Sequence, residues 1–274
     1  MAIIFEEESH KYSSVDAAEK IEWVSVTTLV AKYKEHFDGK AIAEKSSKKK
    51  LSKWFGIAPN EIQRIWKKES DRACGLGTFY HKQREDELLG LNTITRGNEI
   101  LPLFQPIVNE KGYKVAPEQR LNPGIYPEHM CYLKSTGICG QSDLVEVYDG
   151  KVHITDYKTN KEIQMNSFVN WEGVSKKMLR PLTHIEDCHI NHYSLQLSIY
   201  LYTILKHNPH LQAGNLIIHH ISFEEENEKD EYGYPLHKLD ESGEPIVKSV
   251  TIYNLPYLKD EVIKMLEHHK AQKR

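Results

Sequence analysis

Gly140-Gln-Ser-Asp-Leu-Val-Glu-Val-Tyr-Asp-Gly-Lys-Val-His-Ile-Thr-Asp-Tyr-Lys-Thr159 alternates on both sides of Asp149-Gly150. Asp-Gly between such runs is a two-residue hairpin signal, because both turn positions need positive φ. With the turn placed there, Tyr148 opposes Lys151, Val147 opposes Val152, Val145 opposes Ile154 and Asp143 opposes Asp156. Strand side chains alternate faces, so the two aspartates are predicted to share the core face with Val145, Val147, Val152 and Ile154. The other face carries Leu144, Glu146, Tyr148, Lys151, His153 and Thr155, and is mixed and more polar.

Like charges directly opposite on a sheet are destabilising, and unpaired buried charge is worse. A divalent cation would compensate two carboxylates at the end of an apolar face, and hard oxygen ligands suit Mg²⁺ or Mn²⁺. Lys158 lies two residues beyond Asp156 and is expected on the same face. An ammonium beside a metal-bound water can orient that water or stabilise an anionic transition state. Two carboxylates, a metal and a lysine are the parts of a phosphodiester hydrolysis site. Asp-x-Lys alone is common on surfaces; the hairpin register is what favours a site.

Gly140 to Asp143 (Gly-x-x-Asp) followed by Asp156-Tyr-Lys-Thr159 resembles the core of the PD-(D/E)XK nuclease superfamily. Further pieces resemble its RecB-like exonuclease branch. Gly77-Thr-Phe-Tyr-His81 is similar to that branch's Gly-Thr-x-x-His helix, and Tyr193-Ser-Leu-Gln196-Leu-Ser-Ile-Tyr200 to its Gln-x-x-x-Tyr helix. Ser25-Val-Thr27-Thr-Leu resembles a Ser-Val-Thr segment of its mitochondrial and phage members. The pieces occur in the family's order. Each is weak alone; together they are specific for the branch.

The resemblance implies a restriction-endonuclease-like α/β core, in which a central mixed sheet is flanked by helices. It implies that residues 66–274 form this core, with residues 1–65 as a mostly helical cap guiding DNA. Among site residues it implies His81 as a metal ligand, which would tilt preference from Mg²⁺ toward Mn²⁺. It implies Asp143, Asp156 and the Tyr157 carbonyl as further ligands, Glu118 near the metal, Lys158 as the catalytic lysine, and Gln196 beside it. Tyr200 and Tyr193 would position the lysine or the DNA, although plain packing explains tyrosines in so apolar a helix equally well. Ser25 and Thr27 could hydrogen-bond a phosphate or cap the next helix.

The element pattern is mixed α/β. Thr27–Phe37, Lys40 to about Trp66 (interrupted near Pro59), Asp71–Leu89, Asp187–Lys206 and Leu258–Ala271 read as helices. Lys114–Leu121, His129–Leu133, Asn215–Ile221 and Val247–Tyr253 read as strands beside the hairpin. Gly75 and Gly77 inside a helix cost stability, which suggests a close backbone approach.

Composition bounds the remainder. The 274 residues suffice for a sizeable core, and no apolar run approaches the ~18 residues of a membrane span. The opening Met-Ala-Ile-Ile-Phe-Glu-Glu-Glu-Ser does not read as a signal peptide. Cys74, Cys131, Cys139 and Cys188 are scattered, which predicts reduced thiols and a cytoplasmic location. Some RecB-like relatives hold an iron–sulfur cluster on a C-terminal cysteine group; no cysteine follows Cys188, so none is expected. His184, His189 and His192 lack a fourth ligand at a zinc spacing.

The net charge of −3 is unevenly distributed. Between Lys40 and Trp54 six lysines, including Lys48, Lys49 and Lys50, face only Glu44. This stretch could track a phosphate backbone, with Trp54 stacking on bases, or be a solvated helical face over a buried Trp54. Around 224–245 nine acids face Lys229 and Lys238, predicting an exposed acidic insertion. The expected function is a metal-dependent DNA exonuclease that needs no membrane. A structure-specific endonuclease on the same fold and a non-catalytic DNA-binding subunit are the alternatives.

Overall fold

A computed structural model describes residues 3–7, 9–16 and 18–273. It begins with β1 (Ile3–Glu6) and β2 (Lys11–Ser14), then β3 (Val24–Ser25), α1 (Val26–Ala31), α2 (Gly39–Lys48) and α3 (Pro59–Leu89). The hairpin β4 (Thr93–Arg96) and β5 (Glu99–Pro102) precedes the short strands β6 (Ile107–Val108) and β7 (Lys114–Val115). Three long strands follow: β8 (Gly124–Leu133), β9 (Ile138–Tyr148) and β10 (Lys151–Lys158). The chain ends with α4 (His189–His207), β11 (Gln212–Phe223), the hairpin β12 (Glu225–Lys229) and β13 (Pro235–His237), β14 (Val247–Leu255) and α5 (Lys259–Gln272).

The central six-stranded sheet is mixed. Its order is β14-β11-β10-β9, and β9 also pairs with β8 and with β3. β10 and β11 are parallel and joined through α4, the connection that parallel strands require. β8 runs along one edge of β9 for nearly its whole length. The other edge is shared: β10 pairs with Leu144–Tyr148, and β3 pairs in parallel with Ile138 and Cys139. Gly140 to Asp143 therefore lie in a gap between two partners, which breaks the ladder at the Gly-x-x-Asp segment.

The Asp149-Gly150 turn is as the sequence predicts, with φ of 49° and 66°. Val147 pairs Val152, Val145 pairs Ile154, and the ladder ends at Leu144–Thr155. Val145, Val147, Val152 and Ile154 are fully buried against α1, α4 and α5, where Leu29, Leu197, Leu201, Val262 and Met265 close the main core. The second face is buried too. Leu144 and Ile125 pack under Leu88 at the end of α3 and Leu101 of β5. Glu146 is covered because Arg96 of β4 bonds it, Nε to Oε1 at 2.7 Å, and His153 stacks on Tyr148 at 4.2 Å. Polar character on that face thus marks groups covered by a second layer.

α3 is 31 residues long, starts on Pro59 and runs unbroken across positions 65 and 66. Its exposed faces carry spaced pairs such as Glu61–Arg64 and Lys67–Asp71, which support a largely solvated helix. At Gly77 an added Cβ would lie 3.2 Å from Thr159 Oγ1, so this glycine lets α3 approach the end of β10; nothing lies near Gly75. α4 ends at Asn208, fully buried, whose Oδ1 accepts from the Leu121 amide at 2.7 Å. Asn208 Nδ2 donates to Gln119 O and Ile204 O, both at 2.8 Å, tying the helix end to the loop before β8. The expected strand from Lys114 to Leu121 shrinks to Lys114–Val115, because Gln119 and Leu121 spend hydrogen bonds on these side-chain contacts. The acidic stretch forms the exposed β12–β13 hairpin, and its Tyr232 and Tyr234 lean on Trp54, Ile62 and Ile65. Among the described residues, no helix is long and apolar enough to cross a membrane.

Candidate active site

The gap in the sheet is where polar groups converge. Past Leu144–Thr155, β9 and β10 no longer pair, and Asp143 Oδ2 accepts the Tyr157 amide at 2.8 Å. Asp143 is approached from α3, with His81 Nδ1 3.6 Å from its Oδ2. Asp156 is approached from α4, where Gln196 Nε2 donates to its Oδ1 at 3.2 Å. Its Oδ2 forms an ion pair with Lys158 but no hydrogen bond of good geometry among the described residues. The Lys158 ammonium lies 5.1 Å from the ring centre of Tyr193, and the Tyr193 hydroxyl donates to Asn160 Oδ1 at 3.2 Å.

A third carboxylate completes the cluster. Pro127 pairs Leu144 and His129 pairs Ser142, so the intervening Glu128 stands across from Asp143. Its φ is 50°, a left-handed conformation uncommon outside glycine, and the β8–β9 ladder skips a pair there. Donor atoms of His81, Glu128 and Asp143 lie within 4.8 Å of one another. Glu128 bonds Gln141 and sits 3.5 Å from Lys114, which also approaches Glu7 at 3.2 Å and Glu85 at 3.5 Å.

The electrostatics suit a cation. Burial, then the neighbouring Asp143 charge, pushes the Glu128 carboxyl up to about 8. Burial, then Asp156, pushes Asp143 up to about 6. Burial would lower Lys158, but Asp156 and Asp143 outweigh it and hold the ammonium above its ordinary value. His81 Nε2 lies 3.0 Å from the Tyr157 carbonyl. That spacing fits a hydrogen bond, and it also fits two neighbouring ligands of an octahedral ion with bonds of about 2.1 Å. In the hydrogen-bonded case Nε2 must donate, since a carbonyl only accepts, and Nδ1 faces the Asp143 carboxylate. The donor set of imidazole, two raised carboxylates and a carbonyl, beside the open lone pair of Asp156, fits a divalent metal.

Other expected residues fall differently. Glu118 is exposed in the loop after β7, and Glu128, ten residues on, occupies the place expected for it. The sequence reading missed Glu128 because strand assignment began only at His129; the signal was Pro127, a ladder breaker inside a run that is otherwise strand-like. Gln196 reaches Lys158 only through Asp156. Tyr200 is buried, and its ring fills the space above Gly140, where an added Cβ would lie 2.7 Å from Cε1. Ser25 is the N-cap of α1, accepting from the Thr28 amide at 3.1 Å and bonding Thr27 Oγ1 at 3.0 Å. Trp54 is a core residue packed with Ala43, Ile62 and Ile65, so it is not available for stacking on bases. Lys48, Lys49 and Lys50 are exposed where α2 ends. His189 and His192 lie with ring centres 6.5 Å apart, His192 bonding Asp187, while His184 bonds Glu261.

No family model and no curated protein matches this chain. One solved structure, the crystal structure of SSO0001, aligns over 95% of this chain and 81% of its own at 14% identity. Its TM-score of 0.33 is too low for the likeness to carry an argument about fold or function.

Proposed function

We propose that the chain is a metal-dependent deoxyribonuclease with a restriction-endonuclease-like core, acting on DNA that carries an end. The observation that carries this reading is the convergence of His81, Glu128 and Asp143 with the Asp156–Lys158 ion pair in one gap of the sheet. Four elements, α3, β8, β9 and β10, supply these groups and no local packing need explains them.

His81, Glu128, Asp143 and the Tyr157 carbonyl, with Asp156 alongside, would hold Mg²⁺ or Mn²⁺. Such an ion, when bound, supplies Lewis acidity and a water of lowered pKa. Lys158 is the group on this chain that can donate to that water and to a phosphoryl oxygen as charge develops. Asp156 and Asp143 keep its ammonium charged despite burial. Gln196 fixes Asp156, and the Tyr193 face packs against the ammonium, so the lysine is preorganised.

The test is digestion of end-labelled linear single-stranded DNA beside a closed circular strand, with Mg²⁺, Mn²⁺ or EDTA. Metal-dependent loss of the linear strand alone, abolished by Lys158→Ala, is expected. Cutting of the circle would replace the exonuclease reading with an endonuclease on the same site. Cleavage that survives both EDTA and Lys158→Ala would refute the assignment.

A further inference from the structure

Thirteen positions after Lys158 the chain reaches Trp171, which is 91% exposed. It sits at the tip of a rooted hairpin. Lys176 N donates to Phe168 O at 2.8 Å, Val169 bridges Ser175, and Asn170 N donates to Val174 O at 3.0 Å. Asn170 Oδ1 closes the turn by accepting from the Glu172 and Val174 amides, and Gly173 supplies a φ of 79°. Below the turn, Ile163 and Met178 are anchored in the main core. The tip extends roughly 10 Å beyond the Phe168–Lys176 pair, at about 3.3 Å per residue.

Loop tips are ordinarily polar, yet this one shows Trp171, Phe168 at 74% exposure, Val169 and Val174 to solvent. Exposed apolar side chains grouped at one tip mark an interaction site. Its position narrows the partner. Gln164 at the hairpin base accepts from the Ile190 amide at 3.1 Å and donates its own amide to His189 Nδ1 at 3.3 Å. His189 packs on Tyr193, whose ring lies against Lys158. The hairpin thus rises from the wall that holds the lysine. Between Lys161 and Arg180 there are four basic residues and two acids, in a chain that is acidic overall. Lys161 and Arg180 are exposed, with no carboxylate within ion-pair distance among the described residues.

We infer that this hairpin receives the unpaired end of a DNA strand, with Trp171 and Phe168 stacking on its bases and Lys161 and Arg180 meeting its phosphates. Every base has a π-face, so such a contact tolerates sequence and selects single strands over paired ones. The inference deepens the nuclease reading and rests on it for the polymer's identity.

The test is binding of oligo(dT) with Ca²⁺ replacing Mg²⁺, followed by fluorescence anisotropy and by tryptophan quenching. Trp171→Ala, at a solvent-exposed tip, is expected to fold normally, lose most of the quenching and bind roughly 5- to 150-fold more weakly. Trp171→Tyr should recover most of the affinity, and blunt duplex should be bound alike by all three. Affinity within twofold of wild type in Trp171→Ala overturns the inference, as does wild type that fails to bind oligo(dT). So does a change in sedimentation with DNA binding intact, which would make the tip a contact between protein chains. A wild type that binds through Trp171 yet hydrolyses nothing with Mg²⁺ or Mn²⁺ leaves the inference standing and defeats the nuclease. A wild type that digests DNA, with KM unchanged in Trp171→Ala, does the reverse.

Discussion

Glu128→Gln in the metal-free protein should raise stability at high pH and leave it unchanged at low pH. The folded state holds the Glu128 proton up to about pH 8, against an ordinary value of 4.5. Between those values the native protein binds more protons than the unfolded chain. Stability therefore falls as pH rises through this window, with nothing lost below it. At about 1.4 kcal/mol per pH unit the whole window is worth at most roughly 5 kcal/mol. Asp143, raised to about 6, carries part of the same repulsion, so protons leave the two carboxyls as a pair. The share removed by glutamine is on the order of 2 kcal/mol, or about 5 °C in Tm for a chain of this size. Glutamine keeps an oxygen to accept from Gln141, and Lys114 keeps Glu7 and Glu85. Thermal unfolding in EDTA should show the two proteins within about 1 °C at pH 5 and separated by several degrees at pH 9, with the variant higher. Saturating Mn²⁺ at pH 9 should reverse that order, because the ion stabilises the form that ligates it better. A difference that does not change with pH, or a variant less stable than wild type at pH 9, would refute the reasoning.

Two other outcomes follow from the geometry. Gly140→Ala should cost about 1–3 kcal/mol by overpacking, since its Cβ would collide with the Tyr200 ring and press on Val26 Cγ2 at 3.2 Å; urea unfolding reads this, and Tyr200→Leu in the same chain should relieve part of it. Asn208→Ala should cost about 2–4 kcal/mol, because it leaves the Leu121 amide and the Gln119 carbonyl buried without partners; amide exchange at Leu121 should rise with it.

The turn and strand pairing were legible because Asp149-Gly150 and the flanking valines specify register without outside help. The pairing of Asp143 with Asp156 was not, since it assumed a ladder that continues past Leu144. The Tyr157 amide bonds an Asp143 carboxylate oxygen instead of a strand carbonyl, and a residue pattern does not show such an exchange. Glu128 was hidden for a related reason: its backbone conformation depends on the strand beside it. The basic stretch and Trp54 offered two readings, and burial chose the bland one for the tryptophan. The polar face of the hairpin looked like a solvent face because β4, β5 and α3, which cover it, come from 40 or more residues upstream. His81 could be placed near the site only through the family resemblance; in the fold, 76 residues separate it from the carbonyl it touches.

That separation has a kinetic consequence. Glu128, Asp143 and Asp156 share the β8–β9–β10 meander, but His81 comes from α3 and Gln196 from α4, so the cluster is covered only after those helices dock. Loop closure on this scale comes late in folding. Repulsion among Glu128, Asp143 and Asp156 is then weak while water screens the open meander and strong only in the finished fold. Relieving it should slow the escape from the native state and leave the rate of reaching it nearly untouched. The metal-free protein would be short-lived, not slow to form, and any ion that fills the gap would act chiefly as a brake on unfolding.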